Sequence, residues 1–289
     1  MKITHLKAYS IAAILAMGTI QSCQVEEDST ILESDASNSS QLTARASSDV
    51  CVRGGRQDED YKKPVNLGKL DDRTCAANYK EVLVDYRPFG HYEIVANSNH
   101  KDISLQPRIE RSFPRSNNNP GSYVRFSGVF RILEVGNAPG TDDDGTYIAQ
   151  AKGKHTGGGG SPDPAICLFL AKPVYGIDKQ GRRTQTSFNI YRQQIKFRGA
   201  AGKKDRELVF LTNVKKGRMY DFSLRVGFRN VDGKKVHYAN ATIDNKNYYW
   251  NVPQPYRGLE SGIRYGAYRV KGGKARIQWT KTKFTLLSI

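Results

Sequence analysis

The chain has 289 residues, with 45 Lys and Arg against 28 Asp and Glu and a formal net charge of +17. This excess of positive charge attracts polyanions and speeds their encounter with the protein, but it does not identify the polyanion. The sequence contains neither a zinc-finger spacing nor a helix-turn-helix pattern, which argues against a nucleic-acid-binding module.

Residues 1–22 have the pattern of an export signal. Lys2 and Lys7 form a basic start, and the apolar stretch Ile11–Ile20 is too short to span a bilayer as a permanent helix. Cys23 follows directly and resembles the lipobox cysteine of bacterial lipoproteins, which is acylated and becomes the mature N-terminus. An ordinary secretory signal that is cut nearby is the alternative.

Residues 23–49 are predicted to be a lipid-anchored, flexible tether. They are rich in Ser, Thr, Asp and Glu, and they have too few large apolar side chains to offset the entropy of ordering. Glu26, Glu27 and Asp28 resemble the surface-export signal of Bacteroidetes lipoproteins, which implies the cell envelope and the outer-membrane surface. A protein there meets acidic polysaccharide more often than nucleic acid, so this context favours a glycan partner.

Residues 50–289 are long enough for one large domain. Residues 1–49 hold three of the basic and six of the acidic side chains, which leaves 42 against 22 for the domain. Cys51 and Cys75 could form a disulfide in an oxidising compartment, and Cys167, in an apolar run, is expected to be a buried thiol. The cysteine spacing fits no metal site.

Strand patterns dominate the domain, and no long segment has helical periodicity. The segments 123–133, 187–197 and 220–229 alternate apolar and polar residues, and Gly-containing turns separate them. This pattern predicts an all-β fold, a β-jelly roll (concanavalin-like sandwich) of two antiparallel sheets.

The polar faces of these strands carry long hydrogen-bond donors and flat rings that suit sugar hydroxyls and carboxylates. For any one residue, a solvated face of a basic protein is the alternative interpretation. Together they predict one concave binding sheet that contains Arg125, Arg131, Asn189, Tyr191, Gln193, Arg225 and Arg229.

Two short segments could carry chemistry, Tyr147–Lys152 and Ile263–Tyr268. Alternation along a strand puts Gln150 and Lys152 on one face of the first segment, and Arg264 and Tyr268 on one face of the second. Such groups suit β-elimination at a uronic acid, which needs a neutralised carboxylate and a proton-transfer group. Tyr268 could be that group if nearby cations lower its pKa from about 10.

The first segment, followed by an apolar strand, resembles the family 7 alginate lyases, whose central strand carries Gln-Ile-His. The segment Ile263-Arg-Tyr-Gly-Ala-Tyr268 is similar to that family's Tyr-Phe-Lys-Ala-Gly-x-Tyr motif. The resemblance implies that Gln150 contacts the substrate carboxylate and that Tyr268 is the catalytic acid, and also the base in one version of the mechanism.

The segment Arg108-Ile-Glu110 partly resembles the Arg-x-Glu-x-Arg strand of the same family. The closing Arg is absent, because position 112 is Ser and Arg111 would point to the other face. Arg108 is therefore a candidate for substrate binding, and Glu110 would orient it.

Lys152 stands where that family has His. A lysine can neutralise a carboxylate, but with a pKa near 10.4 it is a poor base unless it is desolvated. A Lys and Tyr pair also resembles the ulvan lyases, which cleave a sulfated uronate polymer with this fold. Ulvan and alginate therefore both remain candidate substrates.

Other features give weaker predictions. No cofactor or metal is required for the chemistry, although Asp142–Asp144 could bind a structural calcium ion through carboxylate oxygens. We expect His155 to be an exposed loop residue, although it could also be a second base. His91, His100 and His237 have no metal-ligand spacing and are not assigned to catalysis, although His91 and His100 could line a cleft.

We therefore predict a polysaccharide lyase that acts on an anionic, uronate-containing polymer of the ulvan or alginate type. Tyr268, Lys152 and Gln150 are its candidate catalytic residues, and Arg108, Glu110, Arg264, Asn189 and Tyr191 are its candidate substrate-binding residues. We expect a monomer that meets the membrane only through its lipid. The alternative is a non-catalytic cell-surface binding module for acidic glycans. A glycoside hydrolase fits least, because no pair of carboxylates is evident on a polar strand face.

Overall fold

The structure is a computed structural model that describes residues 56–57, 64–65, 67–72, 79–95, 107–137, 144–156, 163–199, 205–268 and 274–289. All of them belong to one compact unit, Ser48–Ile289. The export signal, the tether, Cys23, Cys51, Cys75, His100 and Asp142 lie outside the described residues. The predictions made for them stay predictions.

The described residues are almost entirely in β-strands. They form β1 (Arg56–Gln57), β2 (Lys69–Asp72), β3 (Tyr79–Val84), β4 (Arg87–Ile94), β5 (Arg108–Ser112), β6 (Tyr123–Glu134), β7 (Thr146–Lys152), β8 (Ala165–Ile177), β9 (Arg183–Ile195), β10 (Arg206–Lys215), β11 (Tyr220–Val231), β12 (Lys234–Ile243), β13 (Lys246–Tyr248), β14 (Asn251–Val252), β15 (Gly262–Tyr268) and β16 (Ala275–Leu287). A short 3-10 helix, Pro255–Arg257, precedes β15. Within the described ranges, no helix combines the length and the apolar character needed to cross a membrane.

The strands form two antiparallel sheets. The first has the order β1-β2-β5-β15-β7-β8-β9-β10, and the second has the order β13-β12-β11-β6-β16-β4-β3, with β14 paired to β12. Some paired strands, such as β5 with β15 and β6 with β16, are far apart in sequence, so long stretches of chain connect them. This arrangement confirms the predicted all-β jelly roll.

The core lies between the two sheets and is rich in aromatic rings. Tyr265 from the first sheet stacks on Phe126 of the second with ring centroids 4.3 Å apart, and both rings lie 5.4 Å from Trp279. All three side chains are fully buried. Aromatic pairs at such distances add to the free energy of burial, so this cluster fixes how the two sheets face each other.

Cys167 points into the same core from β8. Its thiol is fully buried and free, as the apolar run around it predicted. Burial raises its pKa to about 12, so the thiolate is not formed at neutral pH.

The prediction of one binding sheet is wrong. Asn189, Tyr191 and Gln193 lie on β9 of the first sheet. The arginines predicted with them lie on β6 and β11 of the second sheet, namely Arg125, Arg131, Arg225 and Arg229. Alternation identifies the polar face of each strand, but it does not say which sheet the strand joins.

Candidate active site

The two segments singled out in the sequence are neighbouring strands of the first sheet. Arg264 on β15 pairs directly with Gln150 on β7, and Gly262 pairs with Lys152. Their sequence neighbours, such as Ile263 and Ala151, are in the core. Because successive side chains point to opposite faces, Gln150, Lys152 and Arg264 lie on the outer face of this sheet. We call this outer face the active-site face.

The strand β5 brings Arg108 and Glu110 to the same face, beside β15. Tyr268 pairs with Arg108, and Gly266 pairs with Glu110. Gly266 has φ +137°, and a Cβ there would lie 2.4 Å from the carbonyl oxygen of Ile109. A side chain at this position would push β5 away, so the glycine keeps Glu110 close to β15.

Buried carboxylates balance the arginines of this face. Glu110 is fully buried, and its Oε1 accepts a hydrogen bond from Nε2 of Gln150. Its Oε2 lies 3.8 Å from Nη1 of Arg108 and 3.9 Å from Nη1 of Arg264. Asp71 on β2 accepts a 2.8 Å hydrogen bond from the same nitrogen of Arg264. These contacts hold both guanidinium groups in place.

Burial also raises the pKa of Glu110, while Arg108 and Arg264 oppose the shift. The prediction that Glu110 orients Arg108 agrees with this geometry, although the sequence did not indicate that Glu110 also contacts Gln150 and Arg264.

Lys152 lies at one end of the group, and its side chain is only 15% exposed. Its Nζ donates a 2.6 Å hydrogen bond to the backbone oxygen of Asp163 and lies 3.7 Å from the carboxylate of that residue. Arg115 already binds this carboxylate through two hydrogen bonds of 2.8 and 2.6 Å. Burial lowers the pKa of Lys152 to about 8. The positive charge of Arg264 also lowers this pKa, whereas the negative charge of Asp163 raises it and only partly offsets the effect of burial.

Tyr268 lies at the other end, in a more apolar environment. Its ring is 5.4 Å from the ring of Tyr147, and the guanidinium carbon of Arg108 is 4.4 Å from its centroid. Burial raises the pKa of Tyr268, and the opposing effect of Arg108 is smaller. From the sequence alone, the role of Tyr268 was conditional on nearby cations lowering this pKa, and that condition is not met because loss of solvation outweighs the charge of Arg108.

A small polar cavity of about 50 Å³ opens beside Lys152. Three of its lining residues are cations, and the rest of its wall comes from β15, the end of β5 and the residue after β5. The lining residues are Ser112, Phe113, Arg115, Lys152, Gly262, Ile263 and Arg264. A cavity of this size and charge can receive a small anionic group such as a carboxylate or a sulfate.

Asn189 and Tyr191 also lie on the active-site face, as predicted, but two strands away from β7. Tyr191 packs against an apolar cluster of Tyr147, Leu168 and Leu170, together with Tyr268. Asn189 accepts a 2.8 Å hydrogen bond from Asn213 on β10. The two residues therefore extend the face sideways and do not join the charged group.

The sequence did not single out Tyr147, although it opens one of the chosen segments. Tyr147 is three residues before Gln150, so regular alternation would place it on the core face of β7. A bulge at Ile148 shifts the register and turns Tyr147 to the active-site face. Its hydroxyl donates a 2.8 Å hydrogen bond to Gln193. Asp71, Arg115 and Asp163 were also missed, because they come from segments that only the fold brings to this face.

The structure describes two of the histidines that the sequence offered as cleft or base candidates, His91 and His155. His91 is on β4 of the second sheet and contacts Gln278 and Glu93, so it does not line this site. His155 is only 4% exposed and forms an isolated bridge to Gly258, which contradicts the expected exposed loop residue. Among the described residues, no group of three His, Cys, Asp or Glu side chains could hold a metal ion.

Comparison with known proteins adds independent information. The endo-acting ulvan lyase of Formosa agariphila is 57% identical over 232 residues, which are 79% of this chain and 45% of that protein. The ulvan lyase NLR42 of Nonlabens ulvanivorans is 51% identical over 249 residues, which are 84% of this chain and 47% of that protein. The chain thus spans about half the length of these relatives.

Among solved structures, the marine PL7 alginate lyase AlyA1 from Zobellia galactanivorans is 11% identical. The match covers 76% of this chain and 89% of that one, with a TM-score of 0.49. The model of the PL28 ulvan lyases matches residues 23–287. The chain belongs to the PL28 ulvan lyase family.

Proposed function

We propose that this chain cleaves ulvan, a sulfated uronate-containing polysaccharide, by β-elimination. The observation that carries the proposal is that one charged sheet face holds both a half-buried lysine of lowered pKa and a half-buried tyrosine of raised pKa. Pairs of titratable groups whose environments push their pKa values apart are the usual basis for assigning an acid and a base. Membership of the PL28 family supports the choice of polymer.

In the proposed reaction, neutral Lys152 removes the proton from the carbon that bears the uronate carboxylate. The electron pair left on that carbon forms a double bond to the next ring carbon as the glycosidic C–O bond breaks. Tyr268 donates its hydroxyl proton to the departing oxygen. This assignment differs from the one made on sequence alone, in which Tyr268 carried the main proton-transfer role and Lys152 only neutralised charge.

The strand register is compatible with these roles. Lys152 pairs with Gly262 and Tyr147 pairs with Tyr268, so the backbones of the base and the acid are about 15 Å apart along the strands. Both side chains are long, and a sugar ring can lie between their ends. Gln150, Arg108 and Arg264 would then face its carboxylate and stabilise the negative charge that develops on it.

The positive charge of the cavity beside Lys152 supports a sulfated polymer over alginate as the substrate. A uronate carboxylate that faces Arg264 leaves the guanidinium group of Arg115, at the same cavity, without an anionic partner from the substrate. A sulfate on the adjoining sugar could occupy the cavity. Alginate, which has no sulfate, is therefore expected to be the poorer substrate.

Absorbance of the unsaturated uronate tests the proposal. The chain is incubated with ulvan, alginate, glucuronan and heparin-type polymers, and the ultraviolet band of the new double bond is followed. Tyr268→Phe should abolish turnover of ulvan while binding largely survives, because only the donated proton is lost. If no uronate polymer gains a double bond and ulvan is still bound, the chain is a binding module and the lyase proposal fails.

We further propose that a lipid on Cys23 holds the protein at the cell envelope, on the outer-membrane surface. The pattern of a short apolar stretch, then Gln21 and Ser22, then a cysteine supports this location. In cells that express the full chain, Cys23→Ala should move the protein from the membrane fraction to a soluble one. Unchanged fractionation would contradict the lipid anchor.

A further inference from the structure

The outer face of the second sheet carries a separate group of cations. Arg125 on β6 pairs directly with Arg225 on β11, and Lys283 on β16 pairs with Ser127 on β6. These side chains and the nearby Lys281 are exposed. Within the described ranges, none of the four cations forms an ion pair. We call Arg125, Arg225, Lys281 and Lys283 the back-face cations.

A bulge in β16 brings the two lysines together. The register of β16 against β6 shifts between Thr280 and Lys283, and Lys281 has a positive φ of 51°. Between the lysines, Thr282 is buried and its hydroxyl donates a 2.7 Å hydrogen bond to the oxygen of Pro64. The bulge therefore exposes two successive odd-numbered lysines and anchors the residue between them.

The lysines border a shallow groove of about 290 Å³. Three hydroxyl groups form one row across its strands, because Ser127 pairs with Ser223 and Ser223 pairs with Thr242. Lys283 extends this row onto β16. Asp221 is the carboxylate in the groove, so its wall offers cations, hydroxyls and one acid.

Aromatic rings hold the arginine end of this face. The guanidinium carbon of Arg225 lies 3.8 Å from the ring centroid of Tyr123 and 6.0 Å from that of Tyr238. Arg229, four residues further along β11, lies 5.1 Å from the Tyr238 centroid. Stacking restricts the guanidinium groups without neutralising them, so less entropy is lost when they bind an anion.

We propose that the outer face of the second sheet is a second, non-catalytic binding site for sulfated polysaccharide. From Arg229 to Lys281 the cations form a diagonal band about 25 Å long, which spans several sugar residues. Cations along the band suit sulfates and carboxylates, and the hydroxyl row between them suits sugar hydroxyls. The choice of a sulfated glycan rests on the proposed function of the active-site face.

A groove with a hydroxyl row and an acid fits a polysaccharide better than a membrane surface. Anionic lipid headgroups present a continuous negative plane, and peripheral helices or loops bind it with cations and inserted apolar side chains. The carboxylate of Asp221 would repel the negative lipid surface, whereas a polysaccharide can place a sugar hydroxyl group opposite Asp221. Because the core separates the two sheets, this site would hold the polymer while another stretch of polymer enters the active-site face.

Binding is tested in the Tyr268→Phe background, so that the polymer stays intact, by affinity electrophoresis in gels that contain ulvan. The variant R125Q/K283Q removes two back-face cations and keeps side-chain length. The matched control, K179Q/K216Q, removes two exposed cations from turns elsewhere in the domain. We expect R125Q/K283Q to weaken binding about threefold to tenfold at low salt and the control to weaken it less than twofold. The difference should shrink at high salt.

Turnover separates this inference from the proposed function. With an otherwise wild-type active site, R125Q/K283Q should cleave short ulvan oligosaccharides at the wild-type rate. Equal retardation of R125Q/K283Q and K179Q/K216Q would overturn the second site even if the protein cleaves ulvan. Loss of binding to phosphatidylglycerol vesicles, with binding to ulvan unchanged, would overturn it in favour of a lipid surface. If the retardation differs as expected but no polymer is cleaved, the second site stands and the lyase proposal fails.

Discussion

The pKa of Lys152 gives a quantitative prediction for the pH dependence of catalysis. Burial lowers this pKa from an ordinary value of 10.5 to about 8. At pH 7 about a tenth of the lysine is then neutral, and this fraction is about 300-fold larger than for an unperturbed lysine. If neutral Lys152 is the base, kcat/KM should rise about tenfold per pH unit up to pH 8 and then level off.

Ionisation of Tyr268, the proposed acid, should not affect the rise of kcat/KM with pH. The pKa of Tyr268 is raised above 10, so the hydroxyl keeps its proton over the whole range in which Lys152 titrates. The profile of kcat should be shifted to higher pH than that of kcat/KM, because a bound uronate carboxylate stabilises protonated Lys152. The assay is the initial rate of ultraviolet absorbance on ulvan between pH 6 and 9.5, at saturating and at low substrate.

Lys152→Arg separates the role of a base from the role of a fixed cation. The guanidinium stays charged at every pH tested, so it can neutralise a carboxylate but cannot accept the proton. We expect kcat/KM to fall by about 10²- to 10⁴-fold, with loss of the ascending limb. A variant that keeps more than a tenth of the activity, or a wild-type kcat/KM that falls as the pH rises through 8, would refute Lys152 as the base.

Two further predictions concern stability. Glu110→Gln leaves Arg108 and Arg264 with less compensating charge, so the free energy of unfolding in urea should fall by about 3 kcal/mol. The exposed control Glu81→Gln should change that free energy by less than about 0.5 kcal/mol. Burial lowers the pKa of His237 well below 6.5, so the unfolded state takes up a proton that the folded state refuses. Stability should therefore be lost as the pH falls below about 6.5, by up to about 1.4 kcal/mol per unit, and His237→Asn should make this slope shallower. Comparable loss in both Glu variants, or an unchanged slope in the His variant, would contradict these assignments.

The sequence predicted the local geometry of the candidate site well where strand alternation alone decides it. Arg264 and Tyr268 share a face because they are four residues apart in one strand, and Arg111 points to the other face. There Arg111 is fully buried and donates a hydrogen bond to the hydroxyl of Tyr92. From the sequence alone, Lys152 was treated as a cation that neutralises a carboxylate, because an unperturbed lysine is a poor base, and the burial that lowers its pKa is visible only in the structure.

The sequence could not predict features that depend on register or topology. A single extra residue at Ile148 moves Tyr147 to the active-site face, and no local pattern marks that bulge. Asp71 is 193 residues away from Arg264 in the chain, so its contact exists only once β2 joins the sheet beside β5. Burial of Tyr268 was likewise invisible, and it reversed the expected direction of its pKa shift.

The countercharges of the active-site face only partly oppose the lowering of the Lys152 pKa by burial. Arg264 has a 2.8 Å contact with the buried Asp71. Lys152 shares the carboxylate of Asp163 with Arg115, which binds both of its oxygens. The Nζ of Lys152 is left with a hydrogen bond to the backbone oxygen of Asp163 and a 3.7 Å contact with its carboxylate. A backbone dipole stabilises an ammonium group less than a full charge does, and the surrounding arginines disfavour it further. Burial is the main cause of the lowered pKa of Lys152, and the sharing of Asp163 between two cations limits how far that carboxylate opposes it. Weakening the Arg115 contact would return that carboxylate to Lys152 and raise its pKa, and the ascending limb of kcat/KM would move with it to higher pH.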